Sequence, residues 1–218
     1  MGYHRRVPNG SSIQLVCFDL GGVLIRICRS WAEGCRAAGV PVRSDFASDP
    51  SGANGHRQLS RRHQTGRIAC AQFFQEMSAT CDGLYSPAEI ERIHDAWIMG
   101  EYPGVSTLID RIHAAGVTTA ALSNTNASHW RQMLAFPAFT KLGHRLASHD
   151  LGLVKPDVAV YREAERRFGV AGDRILFFDD LPDNIAAASH IGWRAATIDH
   201  AGDTAQQIEA ALQQQGVL

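Results

Sequence analysis

A doubly wound parallel α/β sheet, Rossmann-like, with a small α-helical domain inserted into it is the fold class that this sequence predicts. Three observations predict it. Short apolar runs alternate with stretches of helical periodicity over most of the chain. Polar and acidic residues stand where those apolar runs end. Between Arg26 and Gly100 the alternation stops, and only helical patterns remain.

The elements follow in order. Ile13–Phe18 is an apolar run closed by Asp19-Leu20-Gly21-Gly22, a buried strand running into a turn. Val105, Leu108, Ile109 and Ile112 recur at helical spacing, and Gly116 stops that helix. Val117–Leu122 is a second strand, ending at Ser123-Asn124. Asp157–Phe168 reads as a helix between Pro156 and Gly169. Ile175–Phe178 is a third strand, ending at Asp179-Asp180, and Ile185–Ile191 a helix stopped by Gly192. Ala195–Ile198 forms a last strand, and Asp203 caps a helix that runs to Gln214. Strands and helices in alternation imply a parallel sheet covered on both faces.

In the middle of the chain, Trp31–Ala38 and Ala69–Ala79 look helical. Ser86-Pro87-Ala88-Glu89 is a capping box with proline at the first helical position, and Ile90, Ile93 and Trp97 share one face of the helix it opens. Ser, Asp, Pro, Gly and Asn cluster over Asp45–Gly55 and mark a loop. No convincing strand is visible here. The expected organisation is a core of residues 1–25 and 101–218 with a helical domain of residues 26–100 between them.

Composition narrows the function classes. Hydrophobic residues make up 45% of the 218 and charged residues 20%, as in folded globular chains. The net charge of −1 provides no global attraction to nucleic acid or membrane. No apolar run approaches the ~20 residues that cross a bilayer. The polar start, Met1–Ser12, leads into an apolar stretch that Asp19 breaks too early for a secretory signal. Five cysteines, odd in number and without CxxC spacing, read as reduced thiols in a cytoplasmic protein. The ten histidines show no metal-ligand spacing, and a solvated or core position is the better reading for each. His56-Arg57, Arg61-Arg62-His63 and Arg67 form a basic run whose default is a solvated face.

In an open parallel sheet, ligands bind beyond the carboxyl ends of the strands. Asp19, Ser123-Asn124 and Asp179-Asp180 fall at three such ends, and Lys155 lies between the second and the third. One aspartate after a strand is a turn residue or a cap; three ends in register make a rim of polar groups.

With these residues the chain resembles the haloacid dehalogenase superfamily. Phe18-Asp19-Leu20-Gly21-Gly22-Val23-Leu24 matches the first motif of that family and Leu122-Ser123-Asn124-Thr125-Asn126 the second. Lys155-Pro156-Asp157 matches the third, and the run from Phe177 to Asn184 the fourth. The branch that includes a bacterial glucose-1-phosphate phosphatase shares the Ser-Asn-Thr-Asn and Phe-Phe-Asp-Asp signatures. The resemblance implies a magnesium-dependent phosphatase whose helical insertion is a cap over the site. It implies Asp19 as the nucleophile that is transiently phosphorylated, with Ser123 and Lys155 beside it. Asn124 and the backbone around Gly22 would contact the substrate. Mg²⁺ would be held by Asp19, the Gly21 carbonyl and Asp180, with Asp179 as a further ligand or an orienter of Lys155. The expected substrate is a small phosphorylated metabolite such as a sugar phosphate. Many relatives carry a second aspartate, a general acid and base, two residues after the nucleophile; here that position is Gly21. The alternatives are a metal-independent halide-releasing hydrolase, or a catalytically silent binding module on the same fold.

Overall fold

The computed structural model describes residues 12–43 and 50–218, with side chains described from Gly55 onward in the second segment. Most of the polar start, and residues 44–49 of the expected loop, lie outside the described residues.

The chain forms seven strands and eleven α-helices among the described residues: β1 (Leu15–Phe18), β2 (Ile25–Ile27), α1 (Trp31–Ala37), α2 (Pro50–Gln64), α3 (Cys70–Thr80), α4 (Pro87–Asp95), β3 (Ile98–Glu101), α5 (Val105–Ala114), β4 (Thr118–Ser123), α6 (Ala127–Met133), α7 (Pro137–Thr140), β5 (His144–Ala147), α8 (Ser148–Leu151), α9 (Val158–Phe168), β6 (Ile175–Asp179), α10 (Pro182–His190), β7 (Arg194–Thr197) and α11 (Thr204–Gln214). Five strands make one parallel sheet in the order β5-β4-β1-β6-β7. This is the doubly wound α/β fold expected from the sequence. β1 is central, and all four of its residues are buried.

The pleat of β1 sorts its side chains to two faces. Val16 and Phe18 join one apolar cluster with Leu108 and Ile112 of α5 and Ile208 and Leu212 of α11. Leu15 and Cys17 join the other with Val160, Tyr161 and Phe168 of α9 and with Trp193. Phe18 and Phe178 stack with centroids 5.6 Å apart on adjacent strands. Fully burying such side chains contributes about 1.5–3 kcal/mol each. The cost of ordering the chain offsets most of that sum, so these clusters hold the strand ends in register with little to spare.

Helices α1–α4 bury a third cluster, including Cys35, Phe73, Met77, Tyr85, Ile90 and Ile93. The capping box at Ser86 is formed in both directions, and Asp203 caps α11 through Gln206 N–H at 3.0 Å.

The structure departs from expectation in places. Two strands bracket the helical insertion: β2 and β3 pair antiparallel, Ile25 opposite Glu101. Each is three or four residues long, too short for alternation to reveal, and their pairing spans more than seventy positions of chain. Residues 50–55, expected as loop, are the first turns of α2. Pro50 stands at the helix start, where its missing N–H costs nothing. β5 and the short helices α6, α7 and α8 also lacked a sequence signal, being four to seven residues each. α10 begins three residues earlier than its apolar period, at Pro182.

The insertion is tied to the sheet through Ser148. Its hydroxyl lies 2.6 Å from the Gln64 carbonyl at the end of α2 and 3.0 Å from the Thr125 carbonyl, and it accepts from Thr125 N–H at 2.9 Å. Ser148 is 1% exposed. Ser148→Ala leaves these buried groups unpaired, and the expected loss is about 1–3 kcal/mol of unfolding free energy, read as a lower midpoint in urea denaturation.

Candidate active site at the strand ends

The three expected strand ends meet. Asp19 follows the central strand, Ser123 closes β4 on one side and Asp179 closes β6 on the other. Asp19 N–H donates to the Phe178 carbonyl at 2.8 Å, which carries the ladder one residue beyond β1 and sets the carboxylate on the rim.

Lys155 enters from the segment before α9, after which the chain passes through a cis Lys155–Pro156 peptide. Its ammonium is 2.6 Å from Asp179 Oδ2 and 3.0 Å from Asp19 Oδ1, and it lies 5.4 Å from the centre of the Phe177 ring. Burial alone would push the lysine pKa down; Asp19 and Asp179 together outweigh it and hold the ammonium above its ordinary value. Burial pushes the Asp19 carboxyl up to about 6, with the charge of Asp179 adding to it and Lys155 opposing. Asp19 Oδ1 is buried, with the Lys155 ammonium as its close polar neighbour.

Two asparagines fix this arrangement. Asn124 donates to the Lys155 carbonyl and accepts from the Lys155 N–H, both at 2.8 Å, so its amide is committed to the lysine backbone. Asn184, the last residue of the run that matches the fourth motif, is 3% exposed and donates to both oxygens of Asp179 at 3.0 Å. Leu181 N–H adds a bond to Asp179 Oδ1 at 2.9 Å. Nothing in sequence spacing distinguishes Asn184 from an ordinary cap; only the folded turn aims it at Asp179.

The turn after Asp19 is closed on itself. Gly22 N–H donates to the Ile25 carbonyl and Val23 N–H to the Leu20 carbonyl. Those two N–H groups, expected to face a ligand oxygen, are thereby spent inside the loop. Gly22 has φ +83°, and a Cβ there would lie 2.5 Å from Asp180 Oδ2, so the position requires glycine on both counts. A Cβ on Gly21 would stand 2.9 Å from Ile27 Cδ1. Arg29, which the sequence reading missed, reaches Asp180 Oδ2 at 2.5 Å.

Carboxylate oxygens of Asp19, Asp179 and Asp180 lie within 4.8 Å of one another. Three acidic groups face two cations, Lys155 and Arg29, which leaves one negative charge to be met. Three carboxylates with one charge unmet are a set of hard oxygen donors that suits Mg²⁺.

Above this rim lies a cavity of about 340 Å³ between the sheet and α1–α4, with Gly21, Ser123 and Asn124 among its lining residues. His63, His94 and His129, scattered in sequence, gather in its wall. His94 and His129 stack with centroids 3.9 Å apart, and a nitrogen of His129 lies 2.7 Å from the His94 carbonyl. A second, more open pocket joins Lys155 and Asn124 to Arg57 and Arg61 of the basic run. Arg61 also pairs with Asp157 at 2.5 Å and Arg62 with Glu76 at 2.6 Å. His144 packs against Phe168, and the His200 carbonyl accepts from Tyr102.

A parallel sheet with a carboxylate beyond its central strand, flanked by a hydroxyl and by a lysine held between two aspartates, defines a hydrolase site of α/β type. The family model for haloacid dehalogenase-like hydrolases matches residues 13–192, and the chain belongs to that family. It is 25% identical over 212 residues to phosphatase MT3486 of Mycobacterium tuberculosis (strain CDC 1551 / Oshkosh), covering 95% of this chain and 97% of that protein. It is 26% identical over 206 residues to an (S)-2-haloacid dehalogenase of Pseudomonas putida, covering 91% and 90%. Among solved structures, the HAD family enzyme bt-2542 of Bacteroides thetaiotaomicron, crystallised with magnesium and inorganic phosphate, matches with a TM-score of 0.71 at 20% identity, over 88% of this chain and 96% of that one. No helix among the described residues is long and apolar enough to cross a membrane.

Burial lowers the pKa of His63 to about 4 and that of His94 to about 2, so both are neutral in the folded chain at neutral pH. Unfolded, each titrates near 6.5. Between these values the unfolded chain binds more protons than the folded one, so this contribution to stability is whole above pH ~6.5 and is lost as pH falls below it. Urea midpoints should therefore fall from pH ~6.5 toward pH 4, and the slope should be shallower in His63→Phe.

Proposed function

We propose that this hydrolase is a Mg²⁺-dependent phosphatase that cleaves phosphate monoesters of small molecules through an aspartyl phosphate on Asp19. The observation that carries the reading is the buried assembly of Asp19, Lys155, Asp179 and Asp180, three carboxylates answered by too few fixed cations. The phosphatase relative and the magnesium and phosphate bound by bt-2542 support it.

In this reading a carboxylate oxygen of Asp19 attacks phosphorus in line. The bond from phosphorus to the ester oxygen breaks, and the leaving alcohol takes a proton from water. A second water then attacks the phosphorus of the acyl phosphate, which releases inorganic phosphate and restores the Asp19 carboxylate. Lys155 holds positive charge against the phosphoryl oxygens and against Asp19. Ser123 donates its hydroxyl to a phosphoryl oxygen. Asn124, with its amide bound to the Lys155 backbone, acts by positioning the lysine. Asp179, held by Asn184 and Leu181 N–H, orients the ammonium. Asp19, Asp180 and the Gly21 carbonyl would hold Mg²⁺, with Asp179 adjacent; the ion would neutralise charge on the phosphoryl group. Residues 26–100 serve as a cap that excludes water and selects the substrate, over a core of residues 1–25 and 101–218. Arg57 and Arg61 flank the open pocket at Lys155 and would draw an anion toward it.

The haloacid dehalogenase relatives favour a second reading on the same scaffold, halide displacement from a small acid. That chemistry has no need of a metal, and the Asp179-Asp180 pair argues against it.

Asp19→Asn should lower turnover by at least ~10³-fold with unchanged circular dichroism; retention of more than a small fraction of the rate in a clean preparation overturns the nucleophile assignment. Chelation should abolish activity and added Mg²⁺ restore it, and calorimetry should show Mg²⁺ affinity weakened at least ~10-fold in Asp180→Ala. Full activity in excess chelator would favour the dehalogenase reading.

A further inference from the structure

The wall of the cavity over Gly21 and Ser123 describes the group that must occupy it. Among the described residues, not one of its lining side chains is an Asp, Glu, Lys or Arg. Trp31, Phe73, Met77, Ile90, Ile93 and Trp97 line it on the side of the helical insertion. Several of the polar side chains in the wall are bonded within the protein. Asn124 is committed to the Lys155 backbone, and the carbonyl oxygen of the Asn126 amide caps α6. His129 meets the His94 carbonyl, and His63 meets Cys70 Sγ at 3.3 Å. Burial keeps these imidazoles uncharged near neutral pH. His94, 8% exposed, has the Asn126 side chain beside its ring and Asp95 3.6 Å away. What remains, chiefly Ser60, Gln64 and the hydroxyls of Ser123 and Thr125, could meet a few polar atoms of a ligand but not a hydroxyl on every carbon. A sugar carries a hydroxyl on nearly every carbon, and each one buried without a partner loses its hydrogen bonds to water.

A second observation points the same way. The residue two beyond Asp19 is a glycine, and Ile27 Cδ1 occupies the space beside it. Beside Gly21 the wall is thus hydrocarbon, and among the described residues no carboxylate lines the cavity to protonate a departing oxygen. General acid help is typically worth ~10²–10⁴-fold, and an ester whose alcohol is itself acidic, such as a phenol, needs it least.

We infer that the substrate is the phosphate monoester of an apolar, ring-bearing alcohol or phenol, whose hydrophobic part fills the cavity between Gly21 and helices α3 and α4. This rests on the phosphatase reading and replaces the sugar phosphate expected from the sequence. At about 340 Å³ the cavity is near the lower end of ligand pockets, so the group is compact, an aryl or benzyl unit rather than a long acyl chain. Flat rings suit the faces and edges of Trp31, Phe73 and Trp97.

The test has a binding arm and a turnover arm, both on the full chain with Mg²⁺ present. Benzylphosphonate, which is not hydrolysed, is titrated while tryptophan emission is followed, because Trp31 and Trp97 line the cavity. The expected result is saturable quenching, with a Kd at least ~10-fold below that of 2-hydroxyethylphosphonate. In the turnover arm, benzyl phosphate is compared with glucose 6-phosphate. Both leave as primary alkoxides, so the missing acid weighs on them alike and only polarity differs. The expected kcat/KM ratio is at least ~10 in favour of benzyl phosphate, carried by KM. Met77→Gln should raise KM for benzyl phosphate about tenfold, and Met77→Leu should restore it. Turnover of glucose 6-phosphate equal to or better than that of benzyl phosphate, or absence of quenching, overturns this inference and leaves the phosphatase reading standing. Tight benzylphosphonate binding with no turnover of any phosphate ester supports an apolar occupant and overturns the phosphatase reading.

Discussion

The buried ammonium of Lys155, held between Asp19 and Asp179, is the interaction on which the rest of the site depends. A charge with 1% of its side chain exposed is tolerable only if it is paired and its geometry is fixed. The fold meets that condition from three directions. β1 and β6 are neighbours, so their terminal carboxylates arrive side by side. Asn124, beyond the end of β4, grips the lysine backbone from the other flank. Asn184 and Leu181 N–H, at the start of α10, hold the carboxylate that the lysine meets. Each of these groups would be costly to bury alone. Together they form one network, and the register of the parallel sheet assembles it.

The same network shapes the reactivity of Asp19. Burial and the neighbouring charge of Asp179 disfavour its ionised form, while Lys155 favours it, and the balance leaves the carboxyl high for an aspartate. A carboxylate that is costly to keep charged is open to a cation or to an electrophile. Arg29 meets a different carboxylate, that of Asp180, at the rim beside Gly22. Fixed cations thus reach all three acidic groups without neutralising the cluster.

Over this charged floor the helical insertion presents a different solvent. Its third apolar cluster continues into the cavity wall, and Phe73, Met77, Ile90 and Ile93 serve both. The attachment to the sheet is polar and specific, through Ser148 and through the stacked pair of His94 and His129. Among the described residues, charge lies at the strand ends and in the open basic pocket, and the cavity wall is uncharged.

The strand ends were legible in the sequence because each apolar run long enough to be a buried strand closes on a polar residue. Asp19, Ser123 and Asp179 could be placed on one rim before any coordinates, since alternation of strands and helices implies a parallel sheet. The capping box at Ser86 and the cap at Asp203 were equally plain, being local hydrogen-bond chemistry. β2 and β3 were not, because their partners lie more than seventy positions apart and neither is long enough to show a period. Asn184, Arg29 and the histidine cluster were hidden for a related reason. A cap asparagine, an exposed-looking arginine and scattered histidines have the same local signature whatever they face. The sequence by itself determined the alternation of the longer core strands and helices, the family and the acidic rim, all written in neighbouring residues. Tertiary structure alone decided that Asn124 clamps a lysine, that the Gly22 and Val23 N–H groups are spent within their turn, and that a cavity lined by Trp31, Phe73 and Trp97, with no charged side chain among the described residues, lies beside Gly21 and Ser123. Those depend on which side chains meet across elements, and close packing of distant segments has no local code.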